Sequence, residues 1–384
     1  MTIEPAARVR AVGPSGIRRF FEIAEERDDV ISLGVGEPDF ATPWAARDAA
    51  IHSLEAGRTS YTANRGTRAL REAIAADVRR YDLSYDPGEE VLVTAGASEA
   101  VDLVFRALVD PGDLVAVAQP AYISYEPGVV FAGGEVRPVP TREREDFRLT
   151  VDALERADAH EAELLVLCYP NNPTGATMSE SDLEPIAAYA REHDLVVLSD
   201  EIYAELTYDG EHASIGALEG MRERTIVVNG FSKAYAMTGL RLGYALGPAT
   251  AIAPMNRVHQ YTMLSAPTTA QHAALEALDS CEGDVEEMVT QYDRRRRFVR
   301  SRLVEIGLDC FEATGAFYLF PEVPNGWTAD AFAEGLLREQ GVALVPGDVF
   351  GDGGEGHLRL SYATSLAELR EAMSRIEAFV VDHE

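Results

Sequence analysis

Lysine is all but absent from this chain. Of 34 basic side chains in 384 residues, one is lysine, Lys233, and the rest are arginine. Arginine can take over ion pairing but not covalent amine chemistry, because its guanidinium stays protonated. A lysine retained in such a chain is a candidate imine-forming amine. Other chemically able residues stand in short, ordered segments. Asp200-Glu-Ile-Tyr203 offers a carboxylate and, three residues on, a phenol. Ala95-Gly-Ala-Ser98 offers backbone N–H groups and a hydroxyl. Arg241 follows Lys233 by eight residues, and Tyr169-Pro-Asn-Asn-Pro-Thr-Gly175 is a turn-forming run.

Each of these segments follows an apolar run of strand type. Ala95–Ser98 follows Val91–Thr94, and Tyr169–Gly175 follows Leu164–Leu167 and Cys168. Asp200 follows Leu195–Leu198, and Lys233 follows Thr225–Val228. Leu114–Ala118 and Leu242–Leu246 read as further strands. Between them, Glu99–Val109 and Ser179–His193 have helical periodicity, the second with Ser179 as a cap and Asp182 three residues on. Strands alternating with helices predict a mostly parallel sheet covered on both faces. In such a sheet ligands sit beyond the carboxyl ends of the strands, so the segments converge if the strands are neighbours.

The converged set describes one kind of ligand. Gly96-Ala97-Ser98 at a helix start suits a phosphate, and Arg241 can close on it. Asp200, a carboxylate at a buried strand end, calls for a cationic partner such as a protonated ring nitrogen. Tyr203 can meet a ring hydroxyl, and the Lys233 amine an aldehyde. Phosphate, ring nitrogen, hydroxyl and aldehyde together describe pyridoxal phosphate. Each motif alone is more often a turn, a cap or a solvated strand end; their order carries the weight.

The chain resembles the class I/II, fold-type I, pyridoxal-phosphate aminotransferases, in the subgroup with aspartate and aromatic-amino-acid aminotransferases. The resemblance runs from Leu33-Gly-Val-Gly-Glu-Pro-Asp-Phe40 to the segment around Arg359. Its most specific part is Ser232-Lys233-Ala-Tyr-Ala-Met-Thr-Gly-Leu-Arg241-Leu-Gly243. Tyr61-Thr-Ala-Asn-Arg-Gly66 and the Tyr169–Gly175 turn support it independently.

That resemblance implies a role for each residue. Lys233 holds the cofactor as an imine and later moves the substrate proton. Asp200 pairs with the pyridine N–H, Tyr203 and Asn172 bond the ring hydroxyl, and Tyr122 stacks on the ring. Ala97, Ser98, Ser232 and Arg241 bind the phosphate. Tyr61 reaches the phosphate of a neighbouring subunit, which implies a homodimer with shared sites. Arg359 clamps the substrate carboxylate, and Gly36 adds backbone to it. Gly230 stands where many relatives carry Ser, which leaves Ser232 between phosphate contact and core packing. The implied reaction moves an amino group from an L-amino acid, aspartate or aromatic, to 2-oxoglutarate by a ping-pong route. A β-lyase acting at Cβ on the same fold is the alternative. A ligand-sensing regulator is the third reading, and the early start of the motifs counts against it. Arg18 or Arg19 would suit an acidic side chain, and Ile17, Phe20 or Tyr122 an aromatic one.

The implied architecture is α/β: a large cofactor domain over residues 45–281 and a smaller α+β domain formed by 1–44 with 282–384. A long helix (Val285–Glu305), strands at Phe317–Phe320, Val342–Val345 and Leu358–Ser361, and a closing helix from Leu366 belong to the smaller part.

Composition sets the outer bounds. With 64 acidic residues the net charge is −30. That excludes a nucleic-acid binder or a ligand of anionic membranes. No apolar run reaches the roughly 20 residues of a membrane helix. Three cysteines are too few for a disulfide framework or a tetrahedral zinc site, and fit a reducing cytosol. The eight histidines show no ligand spacing, so no metal site is expected. His259 and His272 read as helix-surface or packing residues, Cys168 as a small buried hydrophobe, and Arg294–Arg297 as a solvated helix face. Surplus acid with almost no lysine reads as adaptation to molar salt, where the Debye length falls to about 3 Å and self-repulsion is screened.

Overall fold

A computed structural model describes residues 3–14, 16 and 29–383. After a short strand, β1 (Ile31–Ser32), the chain builds a seven-stranded sheet. Its strands are β2 (Val91–Thr94), β3 (Leu114–Gln119), β4 (Glu135–Pro140), β5 (Leu164–Cys168), β6 (Val196–Asp200), β7 (Thr225–Gly230) and β8 (Gly243–Leu246). They lie in the order β2-β8-β7-β6-β5-β3-β4. Only β8 runs against the others. The strands β2, β5 and β7 are buried along their whole length. Continuous apolar runs of this kind belong to a sheet covered on both faces.

β4 has no counterpart in the sequence reading. It sits at the sheet edge and carries Pro138 and Pro140, opposite Val117 and Gln119. Proline removes a ladder donor and is tolerated at an edge, so the strand lacks the usual β-branched run.

Helices form where the periodicity placed them, with ends shifted by a few residues: Ala97–Leu108, Glu180–Glu192, Glu282–Glu305 and Leu366–Asp382. Ser179 and Asp182 form a full capping box at the start of the second. A cap of that kind is worth about 1 kcal/mol.

The remaining strands are short. β9 (Tyr318–Leu319), β11 (Val345–Pro346) and β12 (Leu358–Ser361) form an antiparallel sheet, while β10 (Val342–Ala343) pairs with β1 in parallel. The N-terminal segment is thereby held against the C-terminal part; the Ser361 N–H also donates to Leu33 O at 2.7 Å.

One surface reading needs correction. In the helix Glu282–Glu305, Arg295 and Arg296 are buried, while Arg294 and Arg297 are exposed. Arg295 makes a two-pronged bond to Asp39 at 2.7 and 3.0 Å. Arg296 donates to Ala313 O, Asp293 and Asp209. The planar five-donor guanidinium can be buried where enough acceptors surround it.

Candidate active site

All five parallel strands from β2 to β7 that carry candidate segments, β2, β3, β5, β6 and β7, deliver them to one edge of the sheet. The antiparallel β8 begins at that same edge, directly after Arg241. A cavity of about 650 Å³ opens there. Gly36, Ala97, Ser98, Tyr122, Asn172, Asp200, Tyr203, Ser232, Lys233, Arg241 and Arg359 all line it. Tyr61 does not; it stands 81% exposed on the surface.

One end of the cavity suits an anion. Gly96 takes φ 87°, opening the helix Ala97–Leu108 with no side-chain cap on its first-turn N–H groups. Arg241, itself left-handed at φ 55°, brings its guanidinium against this turn and donates to Thr238 O at 2.8 Å. A Cβ on Gly96 would come within 2.7 Å of Arg241 Nη2, and one on Gly243 would collide with the Ala97 backbone nitrogen. Two glycines therefore let a guanidinium meet a helix N-terminus, and both favour negative charge. Glu99 braces the turn, accepting from the Ala95 N–H at 2.5 Å and lying 2.7 Å from His259 Nδ1. His259 is fully buried, a packing residue rather than a helix-surface one.

Asp200 closes the floor. Burial pushes its carboxyl up to about 6, against a 2.7 Å hydrogen bond from the Tyr125 phenol. Its other oxygen takes, among the described residues, the Ile202 N–H at 3.2 Å. A buried carboxylate so lightly satisfied favours a cationic neighbour. Cys168, beside it, is buried as expected, and its thiol is pushed up to about 12 by that burial.

Lys233 stands across the cavity and donates from Nζ to Gly36 O at 2.6 Å. Burial, then the nearby Arg359 guanidinium, lowers its amine to about 8. The Tyr203 and Phe317 rings flank the ammonium at 5.8 and 5.6 Å. A Cβ on Gly36 would run into the Tyr318 phenol, so that position must be glycine for the carbonyl to reach Lys233.

The third group is Arg359 on β12. It donates to Asn172 Oδ1 at 2.8 Å and to Gly34 O at 2.7 Å, and lies over the Tyr318 and Phe350 rings. Its Nε is buried without a hydrogen-bond partner among the described residues. Asn172 is presented by a turn that Asn171 ties together, bonding Thr174 and Cys168 O.

Gly230 has a steric reason. A Cβ there would lie 2.8 Å from Gly243 Cα, where β7 and β8 cross closely. Ser232, two residues on, lines the cavity and is buried. Arg18, Arg19, Ile17 and Phe20 lie outside the described residues.

Two phenols went unread in the sequence. Tyr125 holds Asp200, and Tyr318 shares a 2.9 Å hydrogen bond with Tyr203. Tyr125 stands three residues past Tyr122, a spacing that could have drawn notice. Tyr318 had only an apolar strand around it.

The donor set fits pyridoxal phosphate. The cavity offers an uncapped helix start with a guanidinium, a buried carboxylate short of a cation, phenols, and a depressed amine. An open α/β sheet with these groups at its carboxyl edge defines a pyridoxal-phosphate enzyme. The family profile described as aminotransferase class I and II matches residues 28–376. An aspartate aminotransferase of Pyrococcus abyssi is 45% identical over 375 residues, 96% of each chain. An aromatic-amino-acid aminotransferase of Thermococcus litoralis is 42% identical over 375 residues, again 96% of each. The solved aspartate aminotransferase of Thermus thermophilus with maleate is 41% identical, with a TM-score of 0.94 over 98% of this chain and 100% of that one. The chain belongs to the class I and II aminotransferases. It is a transaminase of fold-type I that works with pyridoxal phosphate.

Proposed function

We propose that this enzyme moves the amino group of an L-amino acid, aspartate or an aromatic one, to 2-oxoglutarate in two half-reactions. The observation that carries the reading is that Lys233, Asp200 and Arg359 line one cavity. The names of the relatives support both donor classes. Among the described residues lining the cavity, Arg359 and Arg241 supply the guanidiniums, and aromatic surface comes from Tyr122, Tyr203 and Tyr318.

The residues divide the work. Bound pyridoxal phosphate supplies a carbon that takes the amine and a conjugated ring that accepts the electron pair left when the Cα–H bond breaks. Ala97, Ser98, Ser232 and Arg241 hold the phosphate. Asp200, kept by Tyr125, balances the ring cation. Tyr203 and Asn172 bond the ring hydroxyl, and Tyr122 covers the ring face. Arg359 takes the substrate α-carboxylate in a planar fork, with Gly36 beside it. Lys233, whose amine is depressed toward neutrality, takes the proton from Cα and returns it.

The division into a large part, 45–281, and a smaller part, 1–44 with 282–384, belongs to the same reading, with the smaller part carrying Arg359 to the substrate. A homodimer completes the site. Tyr61 is exposed and is not among the residues lining its own cavity, and Trp44, Ile51, Leu54, Tyr261 and Met263 are exposed apolar side chains. Three cysteines, all free and buried, support a reducing cytosol. A net charge of −30 with one lysine supports work in high salt.

The test is a coupled assay of the holoenzyme in molar KCl, with a panel of amino acids against 2-oxoglutarate. Aspartate or an aromatic donor should lead the panel with parallel double-reciprocal plots. Turnover confined to other donors, or keto-acid formation without any acceptor, would overturn the reading.

A further inference from the structure

Away from the cofactor cavity, three side chains meet between distant parts of the chain. Glu143 stands in the short turn of helix Glu143–Glu145 after β4, Glu322 follows β9, and His357 immediately precedes β12. An antiparallel bridge sets Glu322 opposite His357. His357 Nε2 lies 3.5 Å from Glu143 Oε2 and 3.9 Å from Glu322 Oε1. One ligand atom from each of the three lies within 4.8 Å of the others.

Acidic neighbours are common on so acidic a chain and would signify nothing alone. The histidine sets this cluster apart. It is 7% exposed, stacked on Phe320 at 4.9 Å and edge-on to Phe147 at 5.4 Å. Its Nδ1 lies 3.0 Å from Glu355 O, a carbonyl that can only accept, so Nδ1 carries a proton. Its Nε2 is buried and, among the described residues, lies within ion-pair distance of the two carboxylates without a direct hydrogen bond. Charge-assisted N–H···O bonds fall near 2.7–2.9 Å, well short of the separations seen here. Nε2 and the two carboxylates thus converge at separations longer than direct hydrogen bonds, around a point that a cation can occupy. A cation relieves that arrangement.

We propose that Glu143, Glu322 and His357 form a site for a divalent first-row transition-metal cation, zinc being the best match. Zinc takes imidazole nitrogen and carboxylate oxygen at about 2.0–2.2 Å, which puts tetrahedral ligands roughly 3.4 Å apart. The observed separations need only small side-chain adjustment. Imidazole with carboxylates favours zinc over magnesium or calcium, which prefer all-oxygen shells. The Nδ1–H···O=C bond is the outer contact that fixes a ligating histidine's tautomer. Glu322 is half exposed, which gives the ion an entry path and leaves a position for water.

The site also has a structural consequence. Glu143 belongs to the segment leaving the edge of the large sheet, whereas His357 stands two residues before Arg359. A bound ion ties the strand that carries the carboxylate clamp to the large sheet.

Tag-free holoenzyme, stripped with a chelator and dialysed, is titrated calorimetrically with zinc chloride alone and with magnesium chloride alone. Thermal melting is followed in parallel, and cobalt(II) is added as a coloured probe. The expected result is one saturable zinc equivalent per chain, a raised melting midpoint, no magnesium effect, and a visible cobalt band. Glu322→Gln, on a half-exposed side chain, should weaken zinc at least tenfold and dim the cobalt band while leaving melting of the stripped protein unchanged. His357→Phe should abolish both signals. If His357→Phe fails to fold, Glu143→Gln serves in its place. No zinc binding, binding unchanged in Glu322→Gln, or equal stabilisation by magnesium would overturn the proposal.

Discussion

Arg359 and Asn172 are joined by a 2.8 Å hydrogen bond although 187 residues separate them in the chain. The bond links the strand of the smaller sheet to the turn beyond β5. One pair of side chains thereby couples the proposed carboxylate clamp to the proposed ring contact, and Arg359 keeps a buried Nε free for a further acceptor. Arg359→Lys should raise the KM of both amino and keto substrates by about 10–100-fold, from loss of charge-assisted bonds worth about 1.5–3 kcal/mol. Steady-state kinetics checks this, and an unchanged KM would refute the clamp.

Lys233→Ala should remove the visible absorbance of the covalently held cofactor and cut turnover by at least about 10³-fold. Spectra and single-turnover assays decide it. A variant that kept both would show that another group holds the cofactor.

The chain's single lysine makes its acidity directly measurable. The apoprotein's Lys233 amine is lowered to about 8 from 10.5 by burial and by Arg359. Acylation at Lys233, read by peptide mapping, should titrate with a midpoint near 8. Because the fold disfavours the protonated amine, the same shift adds stability as pH rises from about 8 toward 10.5. A labelling midpoint near 10.5 would contradict the geometry.

Tyr125→Phe removes the phenol that steadies ionised Asp200. The Asp200 carboxyl, already raised by burial to about 6, should move higher still. The acid limb of the turnover profile should then shift to higher pH, with kcat at neutral pH falling about tenfold or more. Cofactor content, measured alongside, separates this from simple loss of binding. An unmoved acid limb would remove Tyr125 from the site.

The net charge of −30 predicts strong salt dependence. The melting temperature should rise steeply between dilute buffer and molar KCl as self-repulsion is screened. A flat response would leave the missing lysines unexplained.

Much of the cavity was legible in the chain because its residues cluster just after apolar runs. Lys233 announced itself by composition alone. Asn172 and the Gly96 turn follow strands and Asp200 ends one, and a parallel sheet gathers such positions by construction. Where the pattern breaks, reading failed. Proline hid β4. Arg295 and Arg296 looked like solvated charge because their partners Asp39 and Asp209 lie 256 and 87 residues away. Tyr318 was one more apolar-strand residue until its phenol met Tyr203, 115 positions off.

The sequence by itself determined six of the sheet's seven strands, the family's chemistry and the lone amine, since local patterns and residue types encode those. Only the tertiary structure decided which phenols support Asp200 and Tyr203, why Gly230 admits no side chain, and that Glu143, Glu322 and His357 face one another. Those relations depend on distances between segments remote in the chain, and no local periodicity encodes a distance of that kind.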